Sequence, residues 1–200
     1  MKRLKRILVF LLNLPYWLKH RAEVPAYREV IHVKPDAIHL RLKQDEILRL
    51  IKRIHRLNGC VVDGEWDTHA ESESYKFKQK AINERFNKGK SWESTGIFQY
   101  QQRNSEKVTN SINDTLKKRY NRLDEIYQEI KKTGKLSSKE EHLITVSVGR
   151  HGQLIHVGQG AHRLAIARNL KLPKIPVVIG NVHPEGIPYL KNYRSASENL

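Results

Sequence analysis

The chain has 200 residues, which suits one domain or one domain with appendages. Hydrophobic residues make up 38% and charged residues 29%, so there is enough apolar side chain for a packed core, and wholesale disorder is excluded. A net charge of +16 favours an anionic partner (nucleic acid, nucleotide, anionic lipid or a phosphorylated substrate), and the lone Cys60 excludes an internal disulfide framework and a cysteine-based zinc site.

Residues 1–22 carry Lys2, Arg3, Lys5, Arg6, Lys19 and Arg21 and no acid. Within them Leu4, Ile7, Leu8, Leu11, Leu12 and Leu18 recur at helical spacing, predicting an amphipathic basic helix. Asn13 interrupts its apolar run and Pro15 follows, so the run falls short of the roughly 20 residues that span a bilayer. A basic start and apolar middle resemble a secretory leader, but no small-x-small cleavage site follows. Two readings stand side by side: an in-plane helix on an anionic membrane, with Trp17 on its apolar side, or a helix packed on the body of the protein or on a partner.

EVIHVKPDAIH at 29–39 reads as a short strand and a turn, and Ile47, Leu48, Leu50, Ile51, Ile54 and Leu57 predict a helix ending at Asn58-Gly59. Cys60–Val62 predicts a short strand, with Cys60 as a small core residue. An acidic island follows, in which Asp63, Glu65, Asp67, Glu71 and Glu73 crowd together on an otherwise basic chain. Tyr75, Phe77, Ile82 and Phe86 predict a helix ending near Lys88-Gly89, and 101–111 reads as a loop. Leu116, Tyr120, Leu123, Tyr127 and Ile130 form a helical stripe stopped by Gly134, with a linker over 135–140.

The last third alternates more regularly. Strands are expected over 144–148 and 154–157, joined by the Gly149–Gly152 turn as a hairpin. A helix is expected over 161–170, a third strand over 175–179, and a tail over 183–200 that frays after Tyr193. The segment between the second strand and that helix, Gly158–Arg163, has the makings of a phosphate loop. The first N–H groups of a helix have no intrahelical partner and stand at the positive end of its dipole. Glycines allow close approach of an anion. Here Gly158 and Gly160 would supply the bend, His162 a hydrogen bond, and Arg163 a planar two-pronged donor for phosphate. The plainer alternative is a turn in which Gly160 only relieves strain and Arg163 is a surface charge.

VSVGRHGQLIHVGQGAHRLAIARNLKLPKIPVVI resembles the core of the ParB/sulfiredoxin superfamily. LDEIYQEIKKTGK at 123–135 looks like the helix preceding that core, and EVIHVKPDAI at 29–38 like its first strand. GEWD at 64–67 and WEST at 92–95 resemble a Gly-x-Trp-Asp and Trp-Glu-x-Thr pair in uncharacterised archaeal and bacterial ParB-like proteins. The resemblance implies an α/β (α+β) fold with a small mixed sheet, a helical insertion and the N-terminal amphipathic helix. It places a domain over 28–182, with an insertion at about 40–115 and a core at about 120–182.

The superfamily holds nucleotide phosphates with a Gly-x-x-Arg or Gly-x-His-Arg loop, which carries over here to Gly160, His162 and Arg163. Sulfiredoxins place a reactive cysteine where this chain has Ala161, so sulfinic acid reduction is not expected. Free-serine kinases and other relatives have an aspartate where this chain has Gln159. The short stretch after Ile179 leaves no room for the helix-turn-helix of ParB proper, so chromosome partitioning is not expected.

Phosphoryl transfer needs neutralisation of phosphate charge, usually by magnesium (Mg2+), and a group that orients or deprotonates the nucleophile. Glu65 and Asp67, two apart after a glycine, are the candidates for general base or metal ligand, beside the plainer reading of a solvated capping loop. Trp66 and Trp92 offer stacking surfaces for a base or sugar, or else anchor the core. His151, His156, His162 and His183 lack zinc-site spacing. Lys43, Arg49, Lys52, Arg53 and Arg56 form a basic face, a solvated surface or a contact for a nucleic-acid backbone. The expected function is therefore nucleotide-phosphate binding, with a tri- or diphosphate and Mg2+ as cofactors, serving kinase-like phosphotransfer to a small molecule. The alternatives are a non-catalytic nucleotide- or nucleic-acid-binding module, and a membrane-associated accessory protein whose N-terminal helix docks on anionic lipid. The expected location is the cytoplasm or the inner face of its membrane.

Overall fold

The computed structural model describes residues 2–72, 76–103, 111–137, 143–158 and 160–198. The acidic Glu73, Tyr75 at the start of its predicted helix, most of the predicted 101–111 loop, the end of the 135–140 linker and Gln159 lie outside them. The chain is mixed α/β and divides into two compact units that interleave in sequence. One comprises Met1–Glu73, Ser137–Gly160 and Pro173–Leu200; the other comprises Ser74–Leu136 and Ala161–Leu172.

The first unit is built on a mixed sheet, because its apolar runs are short, β-branched and bounded by glycine or proline. Its strands are β1 (Val30–Val33), β2 (Leu40–Leu42), β3 (Glu71–Ser72), β4 (Ile144–Val148), β5 (Leu154–Val157) and β6 (Ile175–Val182), in the spatial order β1-β6-β4-β5-β2-β3. β4 and β5 form the expected antiparallel hairpin, with Val148 opposite Leu154. β6 runs three residues beyond its predicted end, is buried throughout, and lies between antiparallel β1 and parallel β4. A strand buried on both faces reads as a continuous apolar run, as Ile175–Ile179 does, and Asn181 beyond it is buried with its Nδ2 donating to the His55 carbonyl at 2.7 Å. Cys60–Val62 forms only an isolated parallel bridge, Val61 to Val182, in place of the predicted strand. Cys60 is buried, and burial pushes its thiol up to about 11.

Three helices complete this unit. α1 (Lys2–His20) runs through Pro15 and buries Val9 and Asn13. α2 (Gln44–Leu50) is shorter than its apolar spacing predicts. Arg56 explains the early stop: its guanidinium donates to the carbonyls of Ile51, at 2.8 Å, and Leu48, taking up acceptors at the helix end. Ile47 and Ile51 pack with Leu42, Trp66, Ile155 and Val157 in one cluster. The predicted frayed tail is instead α7 (Ile187–Glu198), entered through a 3-10 turn at Pro184–Gly186. Tyr193 donates to the Gly152 carbonyl at 2.6 Å, and Arg194 holds Glu29 at 2.6 and 2.9 Å, so α7 is tied to the sheet unit at these two residues.

The second unit is helical: α3 (Lys76–Lys88), α4 (Ile97–Arg103), α5 (Ser111–Thr133) and α6 (Ala161–Asn169). The stripe Leu116, Tyr120, Leu123, Tyr127 and Ile130 on α5 is buried, as its spacing predicts. Aromatic contacts fill this core: Phe86 stacks on Tyr127 at 3.5 Å and meets Trp92 edge-on at 5.7 Å. Asp124 accepts from Trp92 Nε1 at 3.0 Å and from both prongs of Arg85. On α6, Ala165 accepts from Gln79 at 3.2 Å and Asn169 accepts from Tyr127 at 3.1 Å.

Candidate functional site

Glu65 and Asp67 of the acidic island converge on one arginine. A 3-10 turn over Trp66–His69 directs Asp67 inward, where its side chain is 1% exposed. Arg150, from the β4–β5 turn, meets it there. The Arg150 backbone N–H donates to Asp67 Oδ2 at 2.8 Å, and its Nη2 donates to Asp67 Oδ1 at 2.8 Å, to Glu65 Oε2 at 3.0 Å and to the Gly64 carbonyl at 3.1 Å. Burial acts to raise the Asp67 pKa, and the hydrogen bonds from Arg150 overcome it, leaving the carboxyl below the usual range. The same bonds, to Asp67 first and Glu65 second, raise the Arg150 guanidinium. A carboxylate so stabilised is a weak base, and a cation already fills the space between the two acids. Among the described residues no group of three or more His, Cys, Asp or Glu is placed to hold a metal ion. Glu65 and Asp67 thus make a buckle that fixes the hairpin turn.

The glycines of the predicted phosphate loop belong to the sheet unit. Gly158 and Gly160 have φ of +71° and +104°, conformations that side chains resist. A Cβ on Gly160 would meet Ile144 Cγ1 at 2.9 Å and its Cα at 3.1 Å. Packing against β4 therefore accounts for Gly160 without an anion.

His162 and Arg163 belong to the helical unit, in the first turn of α6. His162 is buried, with Nε2 3.1 Å from the Tyr120 hydroxyl, which Gln101 Nε2 approaches at 3.5 Å. The Tyr120 hydroxyl and His162 Nε2 share one hydrogen bond, whose direction follows the tautomer of the neutral imidazole. Burial first, then the charges of Lys78, Arg119 and Arg163, lower the His162 pKa to about 3. Burial likewise lowers Arg163, with Arg122 adding to it. The charges that lower these two groups come from Lys78 on α3, Arg119 and Arg122 on α5, and Arg163 itself. Burial also pushes Tyr120 up to about 12, so it stays protonated.

Of the other candidates, Trp66 and Trp92 are core residues, 2% and 4% exposed, each with its indole N–H hydrogen-bonded. His183 accepts from the Glu185 N–H at the start of its 3-10 turn, and His156 is buried on β5. On the basic face, Lys43 pairs with Glu71 and Arg49 with Glu46.

Sequence reasoning missed Arg150 as the partner of the acidic island, although a lone arginine in a glycine turn was the available signal. It also missed Arg119 and Arg122, which flank the stripe residue Tyr120 one turn apart, and Lys78, for which sequence offered no signal. No family model matches the chain, and neither the curated proteins nor the solved structures include a significant match.

Proposed function

We propose that this chain binds a nucleotide through its phosphates at the first turn of α6, as its ParB/sulfiredoxin-like motif implies. The observation that carries the reading is the gathering of Lys78, Arg119 and Arg122 close enough to His162 and Arg163 to lower their pKa values. Clustered cations of this kind attract a polyanion. The first N–H groups of α6 add hydrogen-bond donors, and Arg163 a planar fork. His162, neutral and held by Tyr120 through Nε2, would contribute a hydrogen bond from its ring rather than charge.

Resident magnesium does not fit the carboxylates expected to hold it, since Arg150 stands between Glu65 and Asp67. That pairing favours the second reading, a non-catalytic nucleotide-binding module, over phosphotransfer to a small molecule. A thermal-shift panel with ATP, ADP, CTP, GTP and pyrophosphate, each with and without Mg2+, tests the binding. A nucleotide at one hundred times its dissociation constant stabilises the fold by about 2.7 kcal/mol. The expected result is a selective rise in Tm for wild type that is lost in Arg163→Ala and weakened in Arg119→Gln. A rise that Arg163→Ala leaves intact, or none at all, sinks the proposal. Nucleotide turnover by the same samples separates phosphotransfer from simple binding.

A further inference from the structure

The face of α1 that points away from its own unit is apolar along its whole length. Val9 and Asn13 are buried, and Tyr16 and His20 are half-buried on the same side. At 100° per residue, Leu4, Ile7, Leu11, Leu14 and Leu18 fall on the opposite side, and all are exposed, with Leu4 and Leu18 at 72%. Phe10 and Trp17 flank the stripe and meet edge-to-face at 6.4 Å, with Trp17 43% exposed. A contiguous apolar strip of this kind marks an interaction surface.

The helix is bolted in place. Asn13 Nδ2 donates to the Gly59 carbonyl at 2.7 Å, and its Oδ1 accepts from the Val61 N–H at 2.8 Å. The outward face is therefore a fixed feature of the sheet unit. No helix among the described residues is long and apolar enough to cross a membrane.

Charge identifies the occupant. Residues 1–22 hold six lysines and arginines and no acid: Lys2, Arg3, Lys5, Arg6, Lys19 and Arg21. Pairing of this helix with a second copy would bring the two sets together across a seam of only about two heptads, short of the three or four that specify a coiled coil. An anionic bilayer surface matches both features: acyl chains accept the stripe, and headgroups neutralise the cations. A cavity of about 230 Å³ opens beside the stripe, between α1 and the segment leading to Tyr27. Arg6 and Arg21 line it together with Phe10 and Trp17. Arg21 is held at φ +47°, a conformation uncommon for a non-glycine residue.

We infer that α1 is an in-plane docking face for anionic lipid, with the Leu4–Leu18 stripe in the acyl boundary and a lipid phosphate between Arg6 and Arg21. Vesicle flotation of the full chain tests this, with phosphatidylcholine alone and mixed with phosphatidylglycerol. The chain is expected to float with the mixed vesicles, to float poorly with the neutral ones, and to be released by high salt. Trp66 and Trp92 are already buried, so a blue shift in emission on binding reports Trp17, and Trp17→Phe removes it.

Leu11→Glu/Leu18→Glu is expected to abolish flotation without changing Tm, because both side chains are exposed. Arg6→Gln/Arg21→Asn is expected to weaken binding about fivefold per charge removed. Equal flotation with neutral and anionic vesicles, or none with either, overturns the inference. So does a dimer in light scattering that Leu11→Glu/Leu18→Glu converts to monomer, which would make a second copy the occupant.

Discussion

Arg150 Nη2 and Asp67 Oδ1 meet at 2.8 Å across 83 positions of sequence. The pair joins the acidic island to the β4–β5 turn, and it converts an apparent catalytic motif into a support for the hairpin. Asp67 has a pKa below its unfolded value of about 3.9, so its contribution is present at neutral pH and lost as pH falls through the folded value. Asp67→Asn keeps the shape and removes the charge. Urea unfolding is expected to show wild type more stable than Asp67→Asn near neutrality, with the two curves converging below about pH 4. Glu65→Gln is expected to change little, because Glu65 is 71% exposed and its ion pair is screened.

His162 acts on the same acid limb, over a window that opens at higher pH. Its pKa is lowered to about 3, while an unfolded histidine titrates near 6.5. Between those values the unfolded state binds a proton that the folded state refuses, so stability falls as pH drops. The expected loss is roughly 1 kcal/mol per pH unit from about pH 6 to about pH 4. His162→Gln keeps a hydrogen-bonding group for Tyr120 and does not titrate. Its stability profile should be flatter through that window, and an unchanged slope would show that another group sets the acid limb.

Gly160→Ala separates packing from ligand binding. The added Cβ meets Ile144, including its backbone Cα at 3.1 Å, and φ stays at +104°. The expected cost is roughly 2 kcal/mol, with no nucleotide present. Calorimetry of the free protein checks it. A variant as stable as wild type would return Gly160 to the role of a ligand-facing glycine.

The parts of the fold carried by periodicity were legible. The hairpin of β4 and β5, the start of α6 and the buried stripe of α5 follow from spacing alone, because each buries one continuous apolar run. Elements decided by a single distant polar contact were not. α2 ends at Leu50 because Arg56 takes up its last carbonyls, while Ile54 and Leu57 continue an apparent helical pattern. α7 is fixed by Arg194 on Glu29, a pairing between the two ends of the chain. At the candidate site, His162 and Arg163 were readable from their place at a helix start. The charges around them come from α3 and α5, which only folding brings near.

Asn13 is the sharpest case, since in sequence it is only a break in an apolar run. Replacing it by leucine would continue that run, improve helix propensity by a few tenths of a kcal/mol and add apolar surface at a buried position. Yet Asn13 satisfies the Val61 N–H and the carbonyls of Gly59, at 2.7 Å, and Pro25, at 3.3 Å. Leaving a buried donor and acceptor without partners costs about 1–3 kcal/mol each. The second effect outweighs the first, so Asn13→Leu is expected to destabilise the protein by roughly 2 kcal/mol. Asn13→Asp keeps the acceptor for Val61 and loses the donor to Gly59, placing a carboxylate against a carbonyl oxygen, so it should be no better. Urea midpoints of the two variants check the order. Asn13→Leu at or above wild-type stability would mean that α1 is held by its apolar contacts alone, and that the docking face it presents is free to move.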